Sequence, residues 1–151
     1  MLLGHYLGLL HRSEGELAKA YREVGSQHRD EADVAVLCER FAKQCDAHVD
    51  ALAPFARRYG EEAGDEPERL HSTLFAGSRT GPLALLRDLH DLYLLVTECD
   101  VCWVLVGQAA QGARDNGLGD VVGRCDHEIA SQLRWVRTRL KDAAPQSLVV
   151  S

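Results

Sequence analysis

Apolar residues recur along most of this chain in steps of three, four and seven, the period of a helix that buries one face. From Leu2 to Gln27, the positions Leu3, Leu10, Leu17, Tyr21 and Val24 fall on one stripe, until Gly25 and the polar run His28-Arg29-Asp30-Glu31 interrupt it. Asp30 or Asp33 is suited to cap a second helix by accepting from its free backbone N–H groups. That helix aligns Val34, Leu37, Phe41, Cys45, His48, Leu52 and Phe55 as far as about Arg58, with Pro54 expected to kink or end it.

The pattern then changes. Gly60-Glu61-Glu62-Ala63-Gly64-Asp65-Glu66-Pro67 is acidic and flexible, and Leu70 to Phe75 is expected to form at most one short helix. The stretch from Gly60 to Gly81 is long for a connection between antiparallel neighbours, whereas a crossover between two helices running the same way needs that length. Thr80-Gly81-Pro82 supplies a cap and a proline for the first turn of a third helix, about Pro82 to Gly112. This helix is apolar on most faces, most densely from Leu92 to Val106, as expected of one buried centrally or covered by a partner. After a turn at Arg114-Asp115-Asn116-Gly117, a fourth helix from about Leu118 to Asp142 aligns Val122, Cys125, Ile129, Leu133, Val136 and Leu140. Pro145 is expected to close it, leaving residues 1–145 as one domain and 146–151 as a loose tail. No alternating Val/Ile/Thr-rich run suggests a strand. The expected fold is all-α: two helical hairpins joined by a long crossover between helices two and three, an up-down four-helix bundle of ferritin-like connectivity.

Composition narrows the class. A length of 151 residues with 46 % apolar content is one globular domain's worth of chain. Seventeen Lys and Arg against twenty-three Asp and Glu give a net charge of −6, which argues against nucleic acid as a partner. No unbroken apolar run reaches the ~18 residues of a membrane span. Met1-Leu2-Leu3-Gly4-His5 carries no basic segment ahead of its apolar residues, so no signal peptide is expected. The five cysteines therefore read as thiols in a reducing, cytoplasmic compartment. There is no G-x-S-x-G and no phosphate-cradling glycine loop, so nucleophilic catalysis has no support.

The chemistry-bearing residues sit on the helices. Glu14 precedes Tyr21 by two turns on the same face, and Cys45-Asp46-Ala47-His48 lies on the core line of the second helix. In this the chain resembles the ferritin-like superfamily, and within it the rubrerythrin and YciF-type stress-protein branch. There, a helix-one Glu with a Tyr two turns on faces an E-x-x-H on helix two, and the second hairpin repeats the arrangement. The resemblance covers both hairpins. It implies a metal-ligand set of Glu14, Cys45, His48, Glu98, Cys125 and Glu128, with Glu98 as the third-helix carboxylate and Asp100 behind it.

The chain departs from that pattern where it matters most. Helix two has Cys45-x-x-His48 and helix four Cys125-x-x-Glu128, so both carboxylates that would bridge two irons are cysteines. A di-iron centre wants hard oxygen donors holding two cations about 3.5–4 Å apart. The softer set here suits a single zinc better than two irons. Thiols on a core line are also small hydrophobes. The expectation is a non-catalytic bundle whose di-iron site is lost, with no cofactor and a stress-associated role implied by the resemblance. The alternative is a metal-binding or redox protein holding zinc or iron in the softened site.

The remaining features read blandly. Glu14 between Leu10 and Leu17 needs a partner if buried, and Tyr21 is one donor within reach. Glu98 and Asp100 are ~200° apart on a helix, so one is expected to face inward or toward a partner and the other outward. Cys99-x-x-Cys102 lies mid-helix in an apolar run and reads as structural, and His127 as solvated. His5, His11, His28, His71 and His90 have no partners at metal-ligand spacing. The apolar excess of helix three predicts a homodimer, through helices three or one.

Overall fold

The computed structural model describes residues 1–150, which form four helices and no strand. They are α1 (Leu3–Gln27), α2 (Ala32–Gly60), α3 (Ala84–Gly112) and α4 (Asn116–Leu148). The α1 stripe Leu3, Leu10, Leu17, Tyr21 and Val24 is buried throughout. On α2 the buried line is Val34, Phe41, Cys45, His48 and Leu52, and on α4 it is Val122, Cys125, Ile129 and Val136. Helix α1 packs beside α2 and α3, and α4 beside α3 and α2, which leaves α1 and α4, and α2 and α3, on the two diagonals of a square.

The crossover fixes the helix directions. It leaves α2 where His5 Nε2 meets the Ala63 carbonyl oxygen at 2.9 Å, passes Glu16 at His71 (3.0 Å), and reaches Glu23 at the Ser78 backbone N–H (3.0 Å). It thus climbs the whole of α1 and delivers α3 beside His28, at the end where α2 begins. Helices α2 and α3 therefore run parallel, as the length of the linker predicts.

Five local expectations need correction, the first being that Thr80 does not cap α3, which begins at Ala84, after Pro82, with Leu83 in the cap position and no side-chain bond. Leu70 to Phe75 is not helical. Left-handed backbone at Arg69 (φ 60) and Gly77 (φ 124) brackets it, and Leu70, Leu74 and Phe75 instead dock an irregular strap onto the core. Pro54 neither ends nor breaks α2, and Pro145 does not close α4, which runs on to Leu148 into the segment expected as a tail. Both prolines lie on the exposed face, where water can satisfy the carbonyl that loses its N–H partner. Neither Asp30 nor Asp33 caps α2: the cap position is Glu31, without a side-chain bond, and Asp33 lies in the first turn. The effective cap is on α4, where Asp115 Oδ1 accepts from the Leu118 N–H at 3.0 Å. The other Asp115 oxygen accepts from the Tyr59 hydroxyl at 2.7 Å and from Arg58, tying the end of α2 to the start of α4. The Tyr59 hydrogen bond, first among several, holds the Asp115 carboxyl below the usual carboxylate range.

Helix α3 carries the densest apolar run. By length and composition alone, one 18-residue window in it is hydrophobic enough to cross a membrane, a test that core helices also pass. Its inner face carries Leu92, Val96, Cys99, Trp103 and Val106, while Leu94, Val101, Val104 and Leu105 are exposed.

Candidate metal centre

At mid-height all four helices send a polar side chain into the bundle. Glu14 comes from α1, Cys45 and His48 from α2, Trp103 from α3, and Glu128 and Gln132 from α4. Glu14 and Cys45 are fully buried and His48 is 1 % exposed. Their ligand atoms all lie within 4.8 Å of one another, a group that can hold a metal ion. No ion is shown.

The hydrogen bonds sort the ligand atoms. Glu14 Oε1 accepts from Trp103 Nε1–H at 2.9 Å and lies 3.1 Å from His48 Nδ1. Glu14 Oε2 is buried without a hydrogen-bond partner, the one such side-chain oxygen or nitrogen among the described residues. His48 Nε2 lies 2.9 Å from Glu128 Oε1, and the imidazole stands edge-on to the Trp103 ring, 5.8 Å between centroids. Cys45 Sγ is held by Gln132, whose Nε2 lies 3.8 Å away. Gln132 is itself pinned, accepting from the Tyr21 hydroxyl at 2.9 Å and donating to Gln44 at 3.1 Å.

The electrostatics favour protons when no ion is present. Burial alone pushes the His48 pKa down, but the hydrogen bonds and charges of Glu14 and Glu128 outweigh it and raise the value above the ordinary imidazole range. Burial, and then the neighbouring Glu14, pushes the Cys45 thiol well above its usual range. Cys38, Cys102 and Cys125 are each pushed up to about 12, mainly by burial. All five cysteines are free and buried.

Of the six residues read from the sequence, Glu14, Cys45, His48 and Glu128 come together. Cys125 is buried one turn before Glu128, outside the group that can share an ion. Glu98 is half-buried, and its hydrogen-bond partner is Cys102 on its own helix, 3.9 Å away. Glu98 and Asp100 do not divide into an inward and an outward carboxylate, because both sit at the edges of the buried face. Burial, then Asp126, raises the Asp100 pKa. The carboxylates that α3 buries are Asp88 and Asp91, two to three turns earlier. Tyr21 does not serve Glu14; Trp103 does.

Trp103 and Gln132 escape the sequence reading. Gln132 continues the core line of α4 at Cys125, Ile129, 132 and Val136, and a polar residue on that line is the signal that marks it. His28 and His71 do find partners, Asp88 at 2.8 Å and Glu16 at 3.0 Å, but these contacts tie α1 to the start of α3 and to the strap and gather no metal-ligating group.

Comparison with protein-family models, curated proteins and solved structures finds no match for this chain. What it does must be argued from its own side chains.

Proposed function

We propose that this protein is a ferritin-like bundle that has lost di-iron chemistry and binds one soft divalent cation, zinc by preference, through Glu14, Cys45 and His48. The observation that carries the reading is the orphaned Glu14 Oε2, fully buried beside a thiol and an imidazole. A buried carboxylate oxygen without a donor costs several kcal/mol in the absence of a cation or proton, so a native site that keeps one has a use for it. Each ligand is also oriented from behind. Trp103 occupies Oε1 and leaves Oε2 free, Glu128 accepts from Nε2 and aims Nδ1 inward, and Gln132 holds Sγ. A carboxylate behind a ligating imidazole is the usual support of zinc histidines.

Distances and charge agree. Ligand atoms around a tetrahedral zinc are about 3.3–3.8 Å apart, so shifts of roughly 1 Å gather this group. A Glu14 carboxylate and a Cys45 thiolate neutralise a divalent ion, which the dry interior favours. Two irons do not fit, because only two carboxylates, Glu14 and Glu128, reach the centre. Loading removes the thiol proton and one imidazolium proton, so uptake releases two protons and strengthens with pH.

A second reading rests on His48 itself. With a carboxylate oxygen facing each ring nitrogen, an imidazolium satisfies this geometry without metal, and the chain is then a scaffold acting through association. The exposed apolar residues Leu94, Val101, Val104 and Leu105, continued by Leu2 and Tyr6, support a homodimer under either reading. Elemental analysis of protein purified without chelator, with the visible spectrum of the cobalt(II) form, separates the two. The metal reading expects one ion per chain and a thiolate-to-cobalt band that Cys45→Ser abolishes. A chain that takes up no cobalt, or a band unchanged in Cys45→Ser, overturns it.

A further inference from the structure

The walls around the centre are unequal. Helix α1 lies close against α2, where a Cβ on Gly4 would strike the Tyr59 backbone and one on Gly25 would meet Cys38 Cβ at 3.0 Å. Helices α3 and α4 approach as tightly, since a Cβ on Gly107 would lie 3.0 Å from Val122. The Trp103 side chain, fully buried, fills the α3 side. Of the four neighbouring pairs, α2 and α4 pack least closely, and it is across this edge that His48 meets Glu128.

Glu128 is the one member of the carboxylate–imidazole chain with substantial exposure to solvent. Its side chain is 41 % exposed, against 1 % for His48 and none for Glu14, although Glu128 Oε1 sits 2.9 Å from His48 Nε2. A dication arriving from water needs a hydrated ligand that also touches the buried set. At this edge it meets a carboxylate that is partly hydrated and already in contact with the ligand set.

Resting on the metal reading above, we infer that Glu128 is the port of the site: it captures the cation from water at the α2–α4 edge and passes it inward to Glu14, Cys45 and His48. While the ion is held on Glu128, the His48–Glu128 hydrogen bond is broken, which frees the imidazole to turn toward the incoming ion. It re-forms behind the imidazole once the ion is seated. The site is then an exchangeable one, loaded and emptied through one carboxylate, and not a closed structural knot.

The test is kinetic. Metal-free protein is mixed with cobalt(II) in a stopped-flow instrument and the thiolate-to-cobalt band followed; release is measured by adding EDTA to the loaded protein. Glu128→Gln keeps an acceptor for His48 Nε2 and removes the charge. Loading and EDTA-driven release are both expected to slow about tenfold or more, with the final spectrum unchanged. Glu128→Asp retains the charge on a shorter arm and is expected to fall between Gln and wild type, so the result does not hang on one variant's folding. Glu39→Gln removes the same charge from the exposed face of α2 and is expected within about twofold of wild type. A wild-type chain that binds no cobalt overturns the metal reading and the port with it. A wild-type chain that loads, with Glu128→Gln loading and releasing at the same rates, overturns the port alone.

Discussion

Glu14 and Asp88 are both carboxylates with no exposed surface, yet the bundle treats them in opposite ways. At the end where α3 begins, Asp88 is saturated. Oδ1 accepts from Arg79 Nη1 at 3.0 Å, and Oδ2 accepts from the Arg79 backbone N–H at 3.1 Å and lies 2.8 Å from His28 Nε2. Arg79 also pairs with Asp91 at 2.8 Å, so one strap residue stitches the crossover to the start of α3. At mid-bundle, Glu14 has no arginine or lysine partner. Two donors crowd onto Oε1, and Oε2 has none. A carboxylate that serves the fold has its lone pairs used up. One that leaves a lone pair idle in a dry interior has room for a proton or a cation.

The same chemical change at the two positions puts this contrast under strain. In chelator-treated protein, Asp88→Asn keeps the shape but turns an NH2 against donors and discards charge-assisted bonds. We expect it to cost about 3 kcal/mol in urea unfolding. Glu14→Gln retains an oxygen for Trp103 and places its NH2 where no donor opposes it, so a loss of about 1 kcal/mol or less is expected. In cobalt binding the order reverses, with Glu14→Gln abolishing uptake and Asp88→Asn retaining it. Equal stability losses would mean that Oε2 is not idle, and the contrast would collapse.

Next in size is Trp103→Phe. It removes the indole N–H from Glu14 Oε1 and leaves a small void in a packed interior, a combined loss of about 2 kcal/mol. With Oε1 short of a donor, the carboxylate is free to rotate, and cobalt affinity is expected to fall about tenfold. Unfolding curves with and without cobalt check both. A stability loss without any change in affinity would reduce Trp103 to a packing residue.

These residues also show what was legible in the sequence. The helices and the crossover were readable because long stripes at a period near 3.6 leave little choice, and a linker of more than twenty residues needs a reason. Glu14, Cys45, His48 and Glu128 were picked out by the resemblance of their spacing to ferritin-like ligand motifs, which also picked out Glu98 and Cys125, and these two do not join the group. Trp103 was hidden because an indole in an apolar run looks like filling, and its single N–H bond is invisible until α1 is placed opposite. Gln132 was hidden by a one-residue shift, with Leu133 read as the inward position. Asp88 falls on the stripe of Leu92, Leu95 and Cys99 but was passed over in favour of Glu98 and Asp100, and its saturation by Arg79 depends on where an irregular strap ends. Pro54 and Pro145 misled because each sits on an exposed face, where the carbonyl it deprives of an N–H partner can turn to water and the helix continues.

A smaller effect comes with pH. The folded-state pKa of His48 is raised by Glu14 and Glu128 against the pull of burial. Its contribution in metal-free protein is therefore complete below the unfolded imidazole value of about 6.5 and is lost as pH rises through the higher folded value. Relative to His48→Gln, chelated wild type is expected to lose stability as pH rises above the unfolded imidazole value of about 6.5. Cobalt-loaded protein is expected to show the opposite slope, since loading releases protons. Parallel slopes in the two forms would show that His48 does not exchange a proton for the cation.

The smallest effect separates support from ligation. The Tyr21 hydroxyl donates to Gln132 Oε1 at 2.9 Å, both groups are buried, and Gln132 in turn presents Nε2 to Cys45 Sγ at 3.8 Å. Burial pushes the Tyr21 pKa well up, so the hydroxyl stays a donor across the working range. Tyr21→Phe keeps the ring, which packs on Phe41 at 5.6 Å, and removes only the hydrogen bond. Gln132 Oε1 is then left with the weak Cys45 thiol as a donor, a loss of about 1 kcal/mol. If Gln132 only fills space, the change stops at stability. If it aims the sulfur, cobalt affinity falls by about tenfold while the thiolate band keeps its shape, and Gln132→Leu reproduces that loss without adding to it in the double variant.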